Sequence, residues 1–115
     1  MSRALIEKLR RACEVKVTID GKNYTVRRPT DAEIVELQRT GGATFAAVAK
    51  QFVVGWDLVE LDLVPGGGPE PVPFDAELWA EWVADRLEMW APIANAALDA
   101  YFKHRETRDA DAKNS

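Results

Sequence analysis

A chain of 115 residues with 47% hydrophobic side chains is long enough for one domain with a buried core, and its apolar runs are too short and too often interrupted to span a membrane. A single cysteine, Cys13, excludes an internal disulfide and fits a reducing compartment, while the charged opening from Met1 to Arg11 has no apolar segment of a secretory signal. The net charge of -4 is unevenly spread: residues 1–30 carry eight basic side chains against three acidic ones, and residues 31–102 carry thirteen acidic against three basic. Such polarity suits self-association or a charged partner as well as a plain solvated surface. No zinc pattern or RNP motif accompanies the basic end, and the acidic body argues against nucleic acid.

Ser2 is placed to cap a short helix to about Ala12, with Leu5, Leu9 and Ala12 on one face and Ile6 and Cys13 beside it. From Glu14 the period changes to two. Val15, Val17 and Ile19 alternate with Lys16 and Thr18, Asp20 to Asn23 reads as a turn, and Tyr24 to Arg28 returns as a second strand. A lone hairpin is marginal in water, so this one must pack on helices or pair with a further strand. Thr30 and Glu33 form the signature of a capping box, opening a helix over about 30–40 that stops at Gly41-Gly42. A helix over about 43–55 follows, begun by Ala43 or Thr44. Phe45, Val48, Ala49, Phe52 and Val53 lie on one face of it, and Trp56 would continue that face.

Around Leu61-Asp62-Leu63 the pattern suits a short strand or an extended covering segment. Pro65 to Pro69, with three central glycines, then reads as an exposed, mobile loop. Asp75 caps the best-marked helix, expected over 75–90. Its apolar face (Leu78, Trp79, Trp82, Val83, Leu87, Met89, Trp90) covers about half the circumference, wider than the roughly 100° stripe of an ordinary surface helix. Ala91-Pro92 predicts a kink or corner. A last helix over 92–104 carries Ile93, Ala97 and Tyr101 on its core stripe, and 105–115 reads as a disordered polar tail. The expected class is α+β and mainly helical: an N-terminal helix, one β-hairpin, and a bundle of about four helices with a Gly/Pro-rich loop, in a single domain over 1–104.

Catalytic chemistry finds little to use. His104 stands alone at the start of the polar tail, as a solvated histidine would. Arg10 and Arg11 near Cys13 could lower a thiol pKa, but a small buried side chain explains that cysteine as well. Asp57, Glu60 and Asp62 lack the glycine and terminal glutamate of a calcium loop, and Gly66-Gly67-Gly68 lacks the Lys-Ser/Thr of a phosphate loop. No catalytic, cofactor or metal residue is therefore assigned. The four tryptophans stand out instead, and for Trp79, Trp82 and Trp90 both a core and a protein–protein interface fit.

The capped helix after a small hairpin, the run Val53-Val54-Gly55-Trp56-Asp57, the Gly/Pro loop, Val72-Pro73-Phe74-Asp75 and the Leu/Trp-rich helix together resemble the tail assembly chaperones of long-tailed bacteriophages and prophages. The resemblance covers roughly residues 14–104. It implies a non-enzymatic protein that binds the tape measure protein in the host bacterial cytoplasm, helps recruit tail tube protein, and is absent from the mature virion. Gly55, Trp56, Asp57, Val72, Pro73 and Phe74 would then be fold determinants. Trp79, Trp82, Val83 and Trp90 would offer the partner-binding face, with neither nucleic acid nor membrane as a partner. Another small phage morphogenesis or tail component is the alternative, and a metal- or thiol-dependent enzyme using Cys13 or the Asp57–Asp62 carboxylates is the alternative of another class.

Overall fold

The computed structural model describes residues 2–42 and 44–114. It is an α+β, mainly helical fold of six helices and one three-stranded antiparallel sheet. A helix α1 (Arg3–Arg11) leads into strands β1 (Glu14–Ile19) and β2 (Lys22–Arg27), whose register pairs Ile19 with Lys22 and Glu14 with Arg27. Between them Asp20 (φ 52°) and Gly21 (φ 78°) both take positive φ, as a two-residue turn between right-twisted strands requires.

Helix α2 (Asp31–Thr40) opens on the capping box read from the sequence. Thr30 Oγ1 accepts from the Glu33 amide at 3.2 Å, and Glu33 Oε1 accepts from the Thr30 amide at 2.9 Å. It closes on Gly41 in the left-handed region. Helix α3 (Phe45–Phe52) is capped by Thr44 and buries Val48, Ala49 and Phe52; Ala43, the other expected start, lies outside the described residues.

Several boundaries differ from expectation, each for a physical reason. The helix expected to run to residue 55 stops at Phe52, and β3 (Val53–Trp56) pairs with β2. Val53 and Val54 are β-branched, Gly55 is a poor helix former, and the open edge of β2 needs hydrogen-bond partners. The third strand that the hairpin needed is thus the stretch whose spacing looked helical. Leu61 and Leu63 sit in a one-turn helix α4 (Glu60–Leu63), not a strand. Asp62 Oδ2 accepts from the Val59 amide at 2.9 Å and fixes its first turn.

The Gly/Pro loop is laced to α4. The amides of Leu61 and Gly67 donate to the carbonyls of Gly68 and Val64, and the Gly68 amide donates to Glu60 Oε1 at 3.0 Å. A Cβ on Gly67 would stand 2.8 Å from the Glu60 backbone, so only glycine fits that approach.

The Trp-rich helix α5 (Ala76–Val83), capped by Asp75, ends seven residues early, and the break falls at Ala84–Arg86 instead of at Pro92. Val83 supplies the reason: its carbonyl accepts both the Arg86 amide at 3.0 Å and the Trp90 Nε1–H at 2.8 Å, which closes the turn. Helix α6 (Leu87–Asn114) then runs through Pro92. The missing proline amide forfeits only the bond to the carbonyl of Glu88, on an exposed face near the helix start. Residues 105–114, expected as a disordered tail, continue α6. Asp31 draws that end onto α2: its Oδ1 accepts from Tyr101 Oη at 2.7 Å and its Oδ2 from Arg108 Nη1 at 2.9 Å. Ser115 of the expected tail lies outside the described residues.

Helices α3, α5 and α6 cover the face of the sheet that carries Tyr24 and Val26, and the core gathers there with Phe52, Leu58, Trp79, Val83, Ile93 and Ala97. The other sheet face, with Lys16, Thr18 and Asn23, meets solvent.

Candidate partner-binding surface

The tryptophans belong mostly to the core. Trp79 and Val83 are fully buried, and Trp82 and Trp90 are half-buried against the same cluster. Trp79 lies at the centre, its ring 5.6 Å from Tyr24, 5.7 Å from Trp82 and 6.3 Å from Trp56, while its Nε1–H donates to the Ala49 carbonyl at 2.9 Å. The face expected to meet a partner is therefore largely spent on folding, because a stripe this wide touches the sheet, α3 and α6 at once. Trp82 Nε1 is buried with no hydrogen-bond partner among the described residues, and the Arg86 guanidinium lies over its ring at 4.7 Å.

The residues of the resemblance form a clasp. Trp56 Nε1–H donates to the Val72 carbonyl at 2.7 Å, and its ring meets Phe74 edge-on at 4.9 Å. Asp57 takes the Asn23 amide on Oδ1 (2.9 Å) and Asn23 Nδ2 on Oδ2 (3.1 Å), fastening the stretch to the hairpin. Gly55 passes Thr25 so closely that an added Cβ would stand 3.3 Å from Thr25 Cβ. Pro73 is exposed between them.

The carboxylates of the suspected cluster are each engaged separately. Asp57 holds Asn23, Glu60 holds the loop, and Asp62 caps α4 while pairing with Lys22 Nζ at 3.1 Å. The Val59 amide, followed by Lys22, holds the Asp62 carboxyl below its usual range. Burial, reinforced by the charges of Asp57, Asp62 and Asp20, pushes the Tyr24 phenol up to about 12. Among the described residues no group of three or more His, Cys, Asp or Glu is placed to hold a metal ion. Folding brings Cys13 and His104 to line one groove, a juxtaposition the sequence did not show; the thiol itself donates to the Leu9 carbonyl at 3.2 Å.

Helix α1 carries an exposed apolar stripe. None of its residues is buried, and Leu5 and Leu9 are 67% and 70% exposed, with Ile6 beside them. Arg3, Lys8, Arg10 and Arg11 surround this stripe, with Glu7 as the one acid. Leu9 and Arg10 also form one wall of a groove of about 580 Å³, whose other walls include Val54, Thr30 and the Arg27–Glu33 pair. That pair is bidentate, at 2.6 and 2.9 Å, and draws the Glu33 carboxyl down and the Arg27 guanidinium up from their ordinary values. Arg10 has no ion-pair partner among the described residues. The arrangement offers a leucine stripe, an adjoining groove and an uncommitted cation, which suits an amphipathic helix with an acidic flank.

The sequence marked this stripe as one face of a short helix and gave it no role. A signal for exposure was present: a nine-residue helix with three large apolar side chains, ringed by cations. No helix among the described residues is long and apolar enough to cross a membrane. Comparison with protein-family models, with curated proteins and with solved structures finds no match to this chain.

Proposed function

We propose that this chain is a non-enzymatic binding protein of the tail assembly chaperone type. It holds the tape measure protein of a long-tailed phage or prophage in the host cytoplasm, aids assembly of the tail tube, and leaves before the virion is finished. One observation carries the binding role: α1 presents Leu5, Ile6 and Leu9 to solvent beside a groove, with cations on its flanks. A long helical protein with exposed apolar stripes is the kind of partner such a surface covers. The resemblance of residues 14–104 supplies the identity of that partner.

The working surface in this reading is α1 and its groove, not the tryptophan face. Burying a leucine side chain fully contributes about 1.5–3 kcal/mol, so two of them suffice for a binding difference of tenfold or more. Co-purification of the full chain with its tape measure protein is the test. Wild type should retain that protein, and the Leu5→Asp/Leu9→Asp variant should retain at least about tenfold less. Failure of the wild type to bind it, or persistence of the chain in mature particles, rejects the reading.

A further inference from the structure

A second association surface lies at the outer edge of β1. This strand has one neighbour in the sheet, β2. The two-residue turn makes Ile19 and Lys22 a hydrogen-bonded pair, so Val17 and Val15 also direct their amides and carbonyls toward β2. The Arg28 amide, donating to the Cys13 carbonyl at 2.8 Å, continues that alternation. The backbone groups of Glu14, Lys16 and Thr18 therefore point away from the sheet, and among the described residues none bonds them across this edge. All three side chains are exposed. An uncovered six-residue edge is a template for another strand.

We propose that a second copy of this chain pairs there, β1 against β1 and antiparallel, about a two-fold axis at Val15. Among axes from Glu14 to Val17, charge selects the register. An axis at Lys16 sets two lysines opposite each other, and an axis at Glu14 sets two carboxylates opposite. An axis at Val17 puts Lys16 against Thr18 and Glu14 against Asp20. With the axis at Val15, Glu14 and Lys16 of each copy face Lys16 and Glu14 of the other. Opposite charges directly across an antiparallel pair favour it, and like charges oppose it.

In that register Glu14 and Lys16 are the outward-pointing residues, so about four backbone hydrogen bonds close across the axis. Val15, 37% exposed at the edge, meets its own copy on the core side of the sheet. A groove of about 300 Å³ beside it, lined by Cys13, Val15, Ala100 and Lys103, gives that side chain room. The contact is self-complementary, as a two-fold interface must be, and joins two sheets into one. Glu14 also lines the groove beside α1, but the pairing needs no second protein, so sedimentation of the chain alone tests it apart from the proposed function.

Sedimentation velocity on the full chain over a concentration series tests the pairing. Wild type should dimerise as concentration rises. Glu14→Lys and Lys16→Glu should each weaken the dimer about tenfold, because each sets like charges opposite. The two variants mixed should associate with each other, since an all-lysine edge then faces an all-glutamate edge, and the double exchange E14K/K16E should recover the wild-type dimer. Circular dichroism should be unchanged throughout, both side chains being exposed. A wild type that stays monomeric at about 1 mM overturns the proposal, at an association free energy weaker than about 4 kcal/mol. Single variants that dimerise like wild type, or a mixture that fails to associate, overturn it too.

Discussion

Helices α1 and α5 both carry apolar stripes and meet opposite fates. Leu5 and Leu9 on α1 stand in solvent, while Trp79 and Val83 on α5 are wholly enclosed. Part of the difference is composition, since α1 holds four cations among nine residues and α5 holds none. The rest lies in how each helix is tied to its neighbours. The stretch after β3 is fastened to the hairpin by Asp57 and across itself by Trp56 and Val72, and this clasp delivers α5 onto the sheet. Helix α1 has no buried residue and runs through Ala12 and Cys13 straight into β1, with cations around its stripe that favour water over a core. An apolar stripe thus becomes core where other elements deliver it to neighbours, and stays available for a partner where they do not.

Substitutions can break this contrast, beginning with the largest effect. Trp79→Ala should destabilise the fold by about 3–5 kcal/mol, the range for deleting a buried tryptophan, as read by denaturant unfolding. Glu33→Gln removes the charge from the bidentate pair with Arg27 and should cost about 1–2 kcal/mol, between exposed and buried pairs. It also has a pH signature. The Glu33 carboxyl is held below its usual 4.5, by Arg27 first and then by the Thr30 amide. Its stabilising contribution is therefore complete above about 4.5 and is lost as pH falls through the lower folded value. Thermal melts between neutral pH and pH 3 should show that loss in wild type and a shallower one in the variant.

Trp56→Phe keeps the ring against Phe74 but loses the bond to the Val72 carbonyl, so about 1 kcal/mol should disappear from stability. Leu5→Asp/Leu9→Asp should leave stability within about 0.5 kcal/mol of wild type, since these side chains are already in water. The same double variant should lose partner retention. A large stability loss there would mean that α1 is part of the core after all, and the comparison with α5 would collapse.

Much of the fold was legible in the chain itself. The hairpin, the Thr30–Glu33 capping box, the Gly41 stop and the Asp75 cap all rest on interactions within a few residues and stand where the local pattern put them; the turn expected over Asp20–Asn23 is tighter, at Asp20-Gly21, with Lys22 and Asn23 already in β2. The misplaced boundaries share a cause. Val53–Trp56 had helical spacing but was claimed by the free edge of β2, and the corner moved from Pro92 to Ala84–Arg86 because Trp90 reaches back to the Val83 carbonyl. Residues 105–114 gained helix alongside Asp31 on a distant element.

Sequence alone determined where apolar stripes exist, that Thr30 and Asp75 cap helices, and how charge is divided between the two ends of the chain, whereas the expected Ser2 cap makes no side-chain bond. Tertiary structure alone decided which stripe is buried, which strand edge stays open and which carboxylates are already engaged. The physical reason is range: capping and turn preferences are settled by neighbours in the chain, whereas burial and edge pairing depend on partners tens of residues away.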